Sequence, residues 1–167
     1  MGNLLSFIRQ ARAMRTQASD ALTEVILAVF RTNGFLLSAG DALVAPLGLT
    51  SARWQVLGAV AMSDKPLSAP QIAAVMGTTR QGSQKQINLL VEEGLLEAQI
   101  NPTHKRSPRF ALTRRGRSIY ADLERTQARW AKQLAKGLSI EDLAATHRVL
   151  NLVCERLESS SNPSTRP

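Results

Sequence analysis

Residues 67–94 read LSAPQIAAVMGTTRQGSQKQINLLVEEG and contain two helix starts in quick succession. Residues 68–71 (SAPQ) place a hydroxyl at the helix cap, a proline in the first turn and a glutamine three residues on. Residues 78–81 (TTRQ) repeat this pattern one residue after Gly77. The stretch therefore predicts two helices, over 68–76 and 79–93, joined by a tight turn that contains glycine, which is the helix-turn-helix arrangement.

Two short strands are predicted after the second helix. Gly94 ends that helix, and residues 95–100 (LLEAQI) and 109–112 (RFAL) have strand composition on either side of a basic loop that Asn101 and Pro102 open. A helix-turn-helix followed by a β-hairpin with a charged tip is a winged helix. The predicted fold class is therefore mainly α with a small β-hairpin.

Long helices are predicted on both sides of this segment. Apolar residues recur at three-and-four spacing over 21–44, and again in two stretches that end at Gly137 and follow Ser139. The predicted organisation is N-terminal helices over 1–48, a winged helix-turn-helix domain over 49–117, C-terminal helices over 118–158 and a disordered, Ser- and Pro-rich tail over 159–167.

The positive charge is concentrated in the middle of the chain. The 167 residues carry a formal net charge of +8, and residues 65–117 hold nine bases against three acids. Such an excess favours a polyanionic partner, because each phosphate that a base neutralises releases counterions. Aromatic residues make up only 4% of the chain, which disfavours a reader of single-stranded nucleic acid. Double-stranded DNA is the expected partner.

Several other classes of protein are disfavoured. The single cysteine, Cys154, excludes an internal disulfide and cysteine-based zinc sites, and it favours a reducing, cytoplasmic setting. The sequence has no Gly-x-Ser-x-Gly motif, no phosphate-binding glycine-rich loop and no His clustered with carboxylates, so we expect neither an enzyme nor a metal or cofactor site. No apolar run approaches 18 residues, so no membrane span is expected.

The second helix of the pair has two distinct faces on a helical wheel. Ser83, Ile87, Leu90 and Val91 fall on one side and are predicted to face the core, while polar side chains fall on the other. Glutamine and asparagine can pair with adenine, and lysine with guanine. The alternative interpretation of this polar side is an ordinary solvated surface. The candidate DNA contacts are Thr79, Arg80, Gln81, Gln84, Lys85 and Asn88 on this helix, Ser68 at the cap of the preceding helix, and His104, Lys105, Arg106 and Arg109 in the wing.

Six segments across the middle of the chain carry a family resemblance. They are residues 49–57 (LTSARWQVL), 67–73 (LSAPQIA), 79–81 (TRQ), 90–95 (LVEEGL), 101–106 (NPTHKR) and 112–117 (LTRRGR). Their order and spacing together resemble the MarR (multiple-antibiotic-resistance regulator) family of transcriptional regulators over about residues 49–120. His104 stands where most members have an aspartate that orients the wing arginine, although a subset resembles this sequence in having Asn-Pro-x-His-x-Arg.

The resemblance implies a homodimer whose N- and C-terminal helices interlock as the dimerisation domain. It implies that the helix starting at Thr79 enters the major groove and that Arg106 reaches the minor groove. It also implies a small aromatic acid as effector between the two domains, where Trp54 is interpreted either as a lining residue or, preferably, as core. Cys154 is predicted to be buried rather than redox-active, because free cysteine is among the most buried residue types.

The predicted function is that of a transcriptional regulator, a repressor, which binds a pseudo-palindromic operator as a homodimer and is released by a small molecule. Its half-sites should lie about one helical turn apart or a multiple of that. The alternative is a non-specific architectural DNA-binding protein. A further alternative is a peripheral membrane protein that uses residues 1–19, an arm with three arginines and no acid before Asp20.

Overall fold

The computed structural model describes residues 16–102, 104 and 106–161. The mainly helical chain with a small sheet confirms the predicted fold class. Parts of the N-terminal arm and of the C-terminal tail lie outside the described residues. The elements in chain order are α1 (Gln17–Val44), a 3-10 turn (Ala45–Leu47), α2 (Ser51–Ala61), β1 (Leu67–Ser68), α3 (Ala69–Met76), α4 (Arg80–Glu92), β2 (Leu96–Gln99), β3 (Arg109–Leu112), α5 (Arg114–Leu134) and α6 (Ile140–Ser161).

Helix α1 begins four residues before the predicted start at residue 21. Thr16 caps it: the Thr16 hydroxyl oxygen accepts from the Ser19 backbone N–H at 3.2 Å, and the Ser19 hydroxyl oxygen accepts from the Thr16 N–H at 2.9 Å. This reciprocal box uses serine rather than the usual glutamate or glutamine at its third position, so the sequence pattern did not reveal it. The helix is continuous through Gly34 to Val44.

The sheet has three antiparallel strands in the order β1-β3-β2. The predicted hairpin pairs Leu96 with Leu112 and Gln99 with Arg109. The first strand was not predicted, because two residues are too few to show alternation. It pairs Leu67 with Phe110 and so joins the start of the helix-turn-helix to the wing.

One hydrophobic core connects the helix-turn-helix, the sheet and the ends of the neighbouring helices. Leu57, Ile72, Ile87 and Leu90 are fully buried within it. Burial of such side chains is the main favourable term in folding. The other buried members are Val44, Leu49, Val56, Ala59, Val60, Ala69, Leu95, Leu96, Phe110, Leu112 and Leu123.

Three local predictions need correction. Val91 is exposed, because it lies in the last turn of α4, at the edge of the core. Cys154 is also exposed, because nothing within the described chain covers its side of α6. The cap of α4 is Thr79 rather than Thr78. In addition, α6 continues to Ser161, into the segment for which disorder was predicted.

The chain divides into two compact units, one ending at Glu124 and the other beginning at Arg125. Within the first unit, α1 exposes most of its apolar side chains; Phe30 and Phe35 are each 69% exposed. Residues 17–47 form a helical stretch that contains an 18-residue window with a mean hydropathy of 1.3, so by length and composition it could cross a membrane. The expectation of no membrane span rested on Arg31, Asn33, Asp41 and Pro46, which interrupt the apolar runs, and this stretch meets the length and composition criterion despite them.

The C-terminal end of α1 is fastened to the core of the first unit. The Asp41 carboxylate accepts from the Ser51 backbone N–H at 2.6 Å at the start of α2. Gly40 lies so close to α2 that a Cβ there would stand 2.2 Å from the Ser51 hydroxyl oxygen. Val44 is fully buried. This end of α1 is therefore packed into the core of the first unit. The apolar side chains of the preceding turns of α1 remain exposed.

Candidate nucleic-acid interface

Helix α4 is anchored by one face and open on the other. Ser83, Ile87 and Leu90 are at most 2% exposed. Gln81, Lys85 and Asn88 are exposed, and so are Thr79 and Arg80 at its start, while Gln84 is half-buried. Gln81, Gln84, Lys85 and Asn88 lie on the outer side of α4, opposite the buried face, while Thr79 and Arg80 are exposed at its first turn.

The start of α4 is held by two hydroxyl contacts. The Thr79 hydroxyl oxygen accepts from the Gly82 backbone N–H at 3.0 Å. The hydroxyl groups of Thr78 and Ser83 are hydrogen-bonded to each other at 2.7 Å. This bond explains how a polar Ser83 can be buried beneath the helix, because a buried hydroxyl without a partner is costly. It also fastens the turn to the helix that follows.

The cap of α3 is built as the sequence predicted. Ser68 and Gln71 form a capping box, in which Gln71 Oε1 accepts from the Ser68 backbone N–H at 2.9 Å. The Ser68 hydroxyl donates to the same oxygen at 2.8 Å. In the same box the Ser68 hydroxyl oxygen accepts from the Gln71 backbone N–H, so both the proton and the oxygen of this hydroxyl are engaged within the protein.

The wing loop presents His104 and Arg106 at its exposed tip. Its base is closed by Asn101, which is 7% exposed and donates from Nδ2 to the Ser107 carbonyl at 2.9 Å. The backbone N–H of His104 and that of Ser107 also form turn hydrogen bonds. Lys105 lies outside the described residues. Arg109 differs from the tip residues, because it is half-buried in the central strand β3 opposite Ser68 and Gln99.

Some of the basic side chains form hydrogen bonds or ion pairs within the protein, which the sequence did not reveal. Arg53 forms an ion pair with Glu93 at the end of α4 and donates from Nη2 to the Gly48 carbonyl at 3.0 Å. Arg115 donates to the Glu93 carbonyl at 2.9 Å, and Arg117 donates to the Leu112 carbonyl at 2.6 Å. These three side chains hold the end of α4 and the wing in place. Their partners are distant in sequence or are backbone carbonyls, so no local motif marks them.

A cleft of about 160 Å³ lies between α2 and α4. Gln86 lines this cleft and is half-buried. Its polar side chain therefore lies at the edge of the cleft and not within the hydrophobic core. Trp54 packs against the core, and its ring lies beside Gly40 of α1. Across residues 16–102, 104 and 106–161, no group of three or more His, Cys, Asp or Glu side chains could hold a metal ion.

Comparisons with known proteins agree on one family. A profile of the MarR family matches residues 47–107. An uncharacterized protein of Mycobacterium tuberculosis and one of Mycobacterium bovis are each 36% identical over 141 residues, which is 84% of this chain and 97% of theirs. The matched length includes the helices on both sides of the profile.

Solved structures share the fold at lower identity. A MarR family transcription regulator superimposes with a TM-score of 0.70 at 22% identity, covering 88% of this chain and 97% of the other. The transcriptional repressor CouR bound to a 23-mer DNA duplex superimposes with a TM-score of 0.68 at 22% identity, covering 84% and 99%. CouR from Rhodococcus jostii bound to p-coumaroyl-CoA gives 0.63 at 21% identity, covering 86% and 95%.

These matches extend over the capped helix pair, the wing and the flanking helices described above. MarR family members are transcription regulators and not enzymes. This confirms the expectation, made from the lack of catalytic motifs, that the protein is not an enzyme. The chain belongs to the MarR family of DNA-binding transcription regulators.

Proposed function

We propose that the protein is a repressor that binds a pseudo-palindromic operator as a homodimer, with α4 in the major groove and the wing beside the minor groove. The observation that carries this proposal is the outer side of α4, where Gln81, Gln84, Lys85 and Asn88 stand on a helix that Ile87 anchors. Amide and ammonium side chains at such positions can reach base edges. The likeness to CouR, a repressor seen on duplex DNA, supports it.

The candidate contacts divide into two kinds. Arg80 at the start of α4, and Arg106 and His104 at the tip of the wing, are exposed bases or ring nitrogens suited to phosphates or to a narrow minor groove. Lys105 belongs to this group by sequence. Arg109 and Ser68 face each other across β1 and β3, so we assign them to backbone contacts beside the sheet. The side chains on the outer side of α4 supply the base contacts.

The homodimer is supported by the apolar stripe of α1. Six side chains that recur at three-and-four spacing, from Leu22 to Leu37, are 36% to 43% exposed in the single chain. Burying apolar area yields about 25 cal/mol per Å², so such a stripe favours association. We assign residues 1–48 and 118–158 to this dimerisation role and 49–117 to DNA. The stripe residues are Leu22, Val25, Ile26, Val29, Leu36 and Leu37.

A small aromatic acid or a related thioester is the proposed effector. The support is the likeness to CouR with p-coumaroyl-CoA bound, and it concerns the class of ligand rather than its identity. Trp54, half-buried against Gly40 of α1, is the aromatic side chain that we assign to such a site. A thermal-shift series with aromatic carboxylates and their coenzyme A esters tests this, since a ligand of the native state raises its stability.

A mobility-shift assay at stated salt tests sequence-specific binding. The duplex from the region upstream of the protein's own gene should bind at least about a thousandfold more tightly than random duplex. Arg106→Ala should weaken binding to all duplexes or mainly to those with narrow minor grooves, whereas Gln84→Ala should change base preference. Equal affinity for both duplexes would instead identify an architectural DNA-binding protein.

Sedimentation tests the role of the α1 stripe. The double variant Ile26→Glu/Val29→Glu places two charges on the stripe and should convert the dimer to a monomer. Ala28→Glu, on another side of the same helix, is the matched control and should leave the dimer intact. A wild-type protein that is monomeric and floats with anionic vesicles, but no longer floats when residues 1–19 are removed, would favour the membrane alternative.

A further inference from the structure

Gln84 and Asn88 form a hydrogen-bonded pair on the outer side of α4. The Gln84 Nε2 amide donates to the Asn88 Oδ1 at 2.8 Å. Residues four apart are neighbours on one side of a helix. Asn88 is exposed, whereas Gln84 is half-buried. Gln84 is therefore partly shielded from solvent, and its amide is hydrogen-bonded to Asn88.

The pairing leaves the two amides with different capacities. A carboxamide pairs with adenine in the major groove by accepting from N6 and donating to N7. After giving one N–H to Asn88, Gln84 keeps its Oε1 and a second N–H, the two groups that such a contact uses. The Asn88 oxygen has given one of its two acceptor sites to Gln84. Gln84 also lies one turn nearer the start of α4, the end whose side chains contact base edges in helix-turn-helix proteins.

We propose that Gln84 reads an adenine and that Asn88 is a positioning residue, which holds the Gln84 carboxamide in its reading orientation. A free glutamine side chain loses much of its rotamer freedom on binding. The bond to Asn88 removes part of this loss before DNA arrives, which is the general benefit of preorganisation. The inference rests on the proposed function and assigns the base class that the helix reads.

A double-mutant cycle on base discrimination tests this assignment. Wild type, Gln84→Ala, Asn88→Ala and the double variant are compared on the duplex that the wild type selects from a randomised pool, and on duplexes changed at single positions. Gln84→Ala should lower discrimination at one A·T pair by about tenfold or more. Asn88→Ala should lower it at the same pair by about threefold to tenfold. In the Gln84→Ala background, Asn88→Ala should change nothing further.

Asn88→Asp separates positioning from a direct contact. Aspartate keeps the oxygen that accepts from Gln84, while its charge repels phosphates and weakens binding to every duplex. The ratio between matched and mismatched duplexes should therefore stay near that of the wild type, although overall affinity falls. The exposed site predicts an unchanged melting temperature for Asn88→Ala and for Asn88→Asp. A discrimination ratio that collapses in Asn88→Asp contradicts the positioning role.

The outcomes distinguish this inference from the proposed function. A wild-type protein that binds selected and random duplexes equally overturns both. A wild-type protein that discriminates, but in which Asn88→Ala acts at another base pair or adds independently to Gln84→Ala, overturns only the role of Asn88. Glu92→Gln, in the last turn of α4 and outside the proposed DNA contacts, is the control, and it should leave discrimination at the pair read by Gln84 unchanged.

Discussion

Helix α1 and the winged helix-turn-helix segment (residues 49–117) differ in how far their apolar side chains are buried. In the winged segment most of the large apolar residues meet in one core, where Leu57 and Ile87 are fully buried. In α1 most of them remain uncovered, and only the end at Gly40 and Val44 is packed. The winged segment is thus complete within one chain, whereas α1 has an apolar surface that calls for a partner.

The largest expected effect compares a leucine from each region. Leu57→Ala should lower the free energy of unfolding by about 2–5 kcal/mol, because it leaves a cavity in a closed core. Leu27, which is 59% exposed on α1, is the matched control, and Leu27→Ala should change stability by less than about 0.5 kcal/mol. Urea unfolding of both variants measures the difference. Equal losses would mean that the Leu27 side of α1 is covered in the assembled protein.

A pair of glycines gives the next largest contrast. A Cβ on Gly116, at the start of α5, would stand 2.0 Å from the Leu95 backbone oxygen, so Gly116→Ala should cost about 1–3 kcal/mol. A Cβ on Gly34 of α1 meets nothing within 4 Å. Gly34→Ala should stabilise the protein by up to about 1 kcal/mol, since alanine is the better helix former. Melting temperatures that move in the same direction for both variants would contradict this contrast.

The ion pair between Arg53 and Glu93 lies within the winged segment, and Arg53 also donates to the Gly48 carbonyl in the connection that follows α1. The two side chains are 16% and 38% exposed. A double-mutant cycle with Arg53→Ala and Glu93→Ala should give a coupling free energy of about 1 kcal/mol that shrinks in high salt. Arg114→Ala, an exposed base nearby, is the control. A coupling near zero would mean that this contact contributes nothing measurable to stability.

The smallest effect concerns Tyr120, which packs near Gly58 within the first unit. Burial, and secondarily the charge of Glu124, raises the pKa of Tyr120 above 10.0. The unfolded chain therefore loses this proton at a lower pH than the folded chain, and the free energy of unfolding falls as pH rises above 10. Tyr120→Phe should flatten that alkaline decline. Urea midpoints of both proteins at about pH 8 and pH 11 measure it, and parallel declines would sink the idea.

Local signals made the helix-turn-helix predictable. The cap at Ser68, the glycine at 77 and the threonine cap before α4 act within one or two turns, so their physics is contained in a few adjacent residues. The same holds for the hairpin, whose strand 109–112 was predicted with its observed bounds. The two-residue strand β1 was not predicted, since it is defined by its pairing with β3, which is distant in sequence.

Side-chain environments were less predictable than elements. Periodicity placed Val91 and Cys154 on apolar stripes, yet it carries no information about how far a neighbouring element reaches, and each residue is exposed. Charge counting assigned nine bases to a DNA-facing segment, but Arg115 and Arg117 turn back to carbonyls of the protein. Both errors have the same cause. The sequence shows which residues share one side of a helix or strand, but it does not show which other elements that side contacts.

The sequence by itself determined the winged helix-turn-helix, the family and the face of α4 that carries polar side chains, because capping, periodicity and charge are local properties. Only the tertiary structure decided which bases remain available, how Ser83 is satisfied by Thr78, and that Gln84 is tied to Asn88. Each of these depends on distances between side chains, which follow from how the helices pack and which rotamers that packing allows.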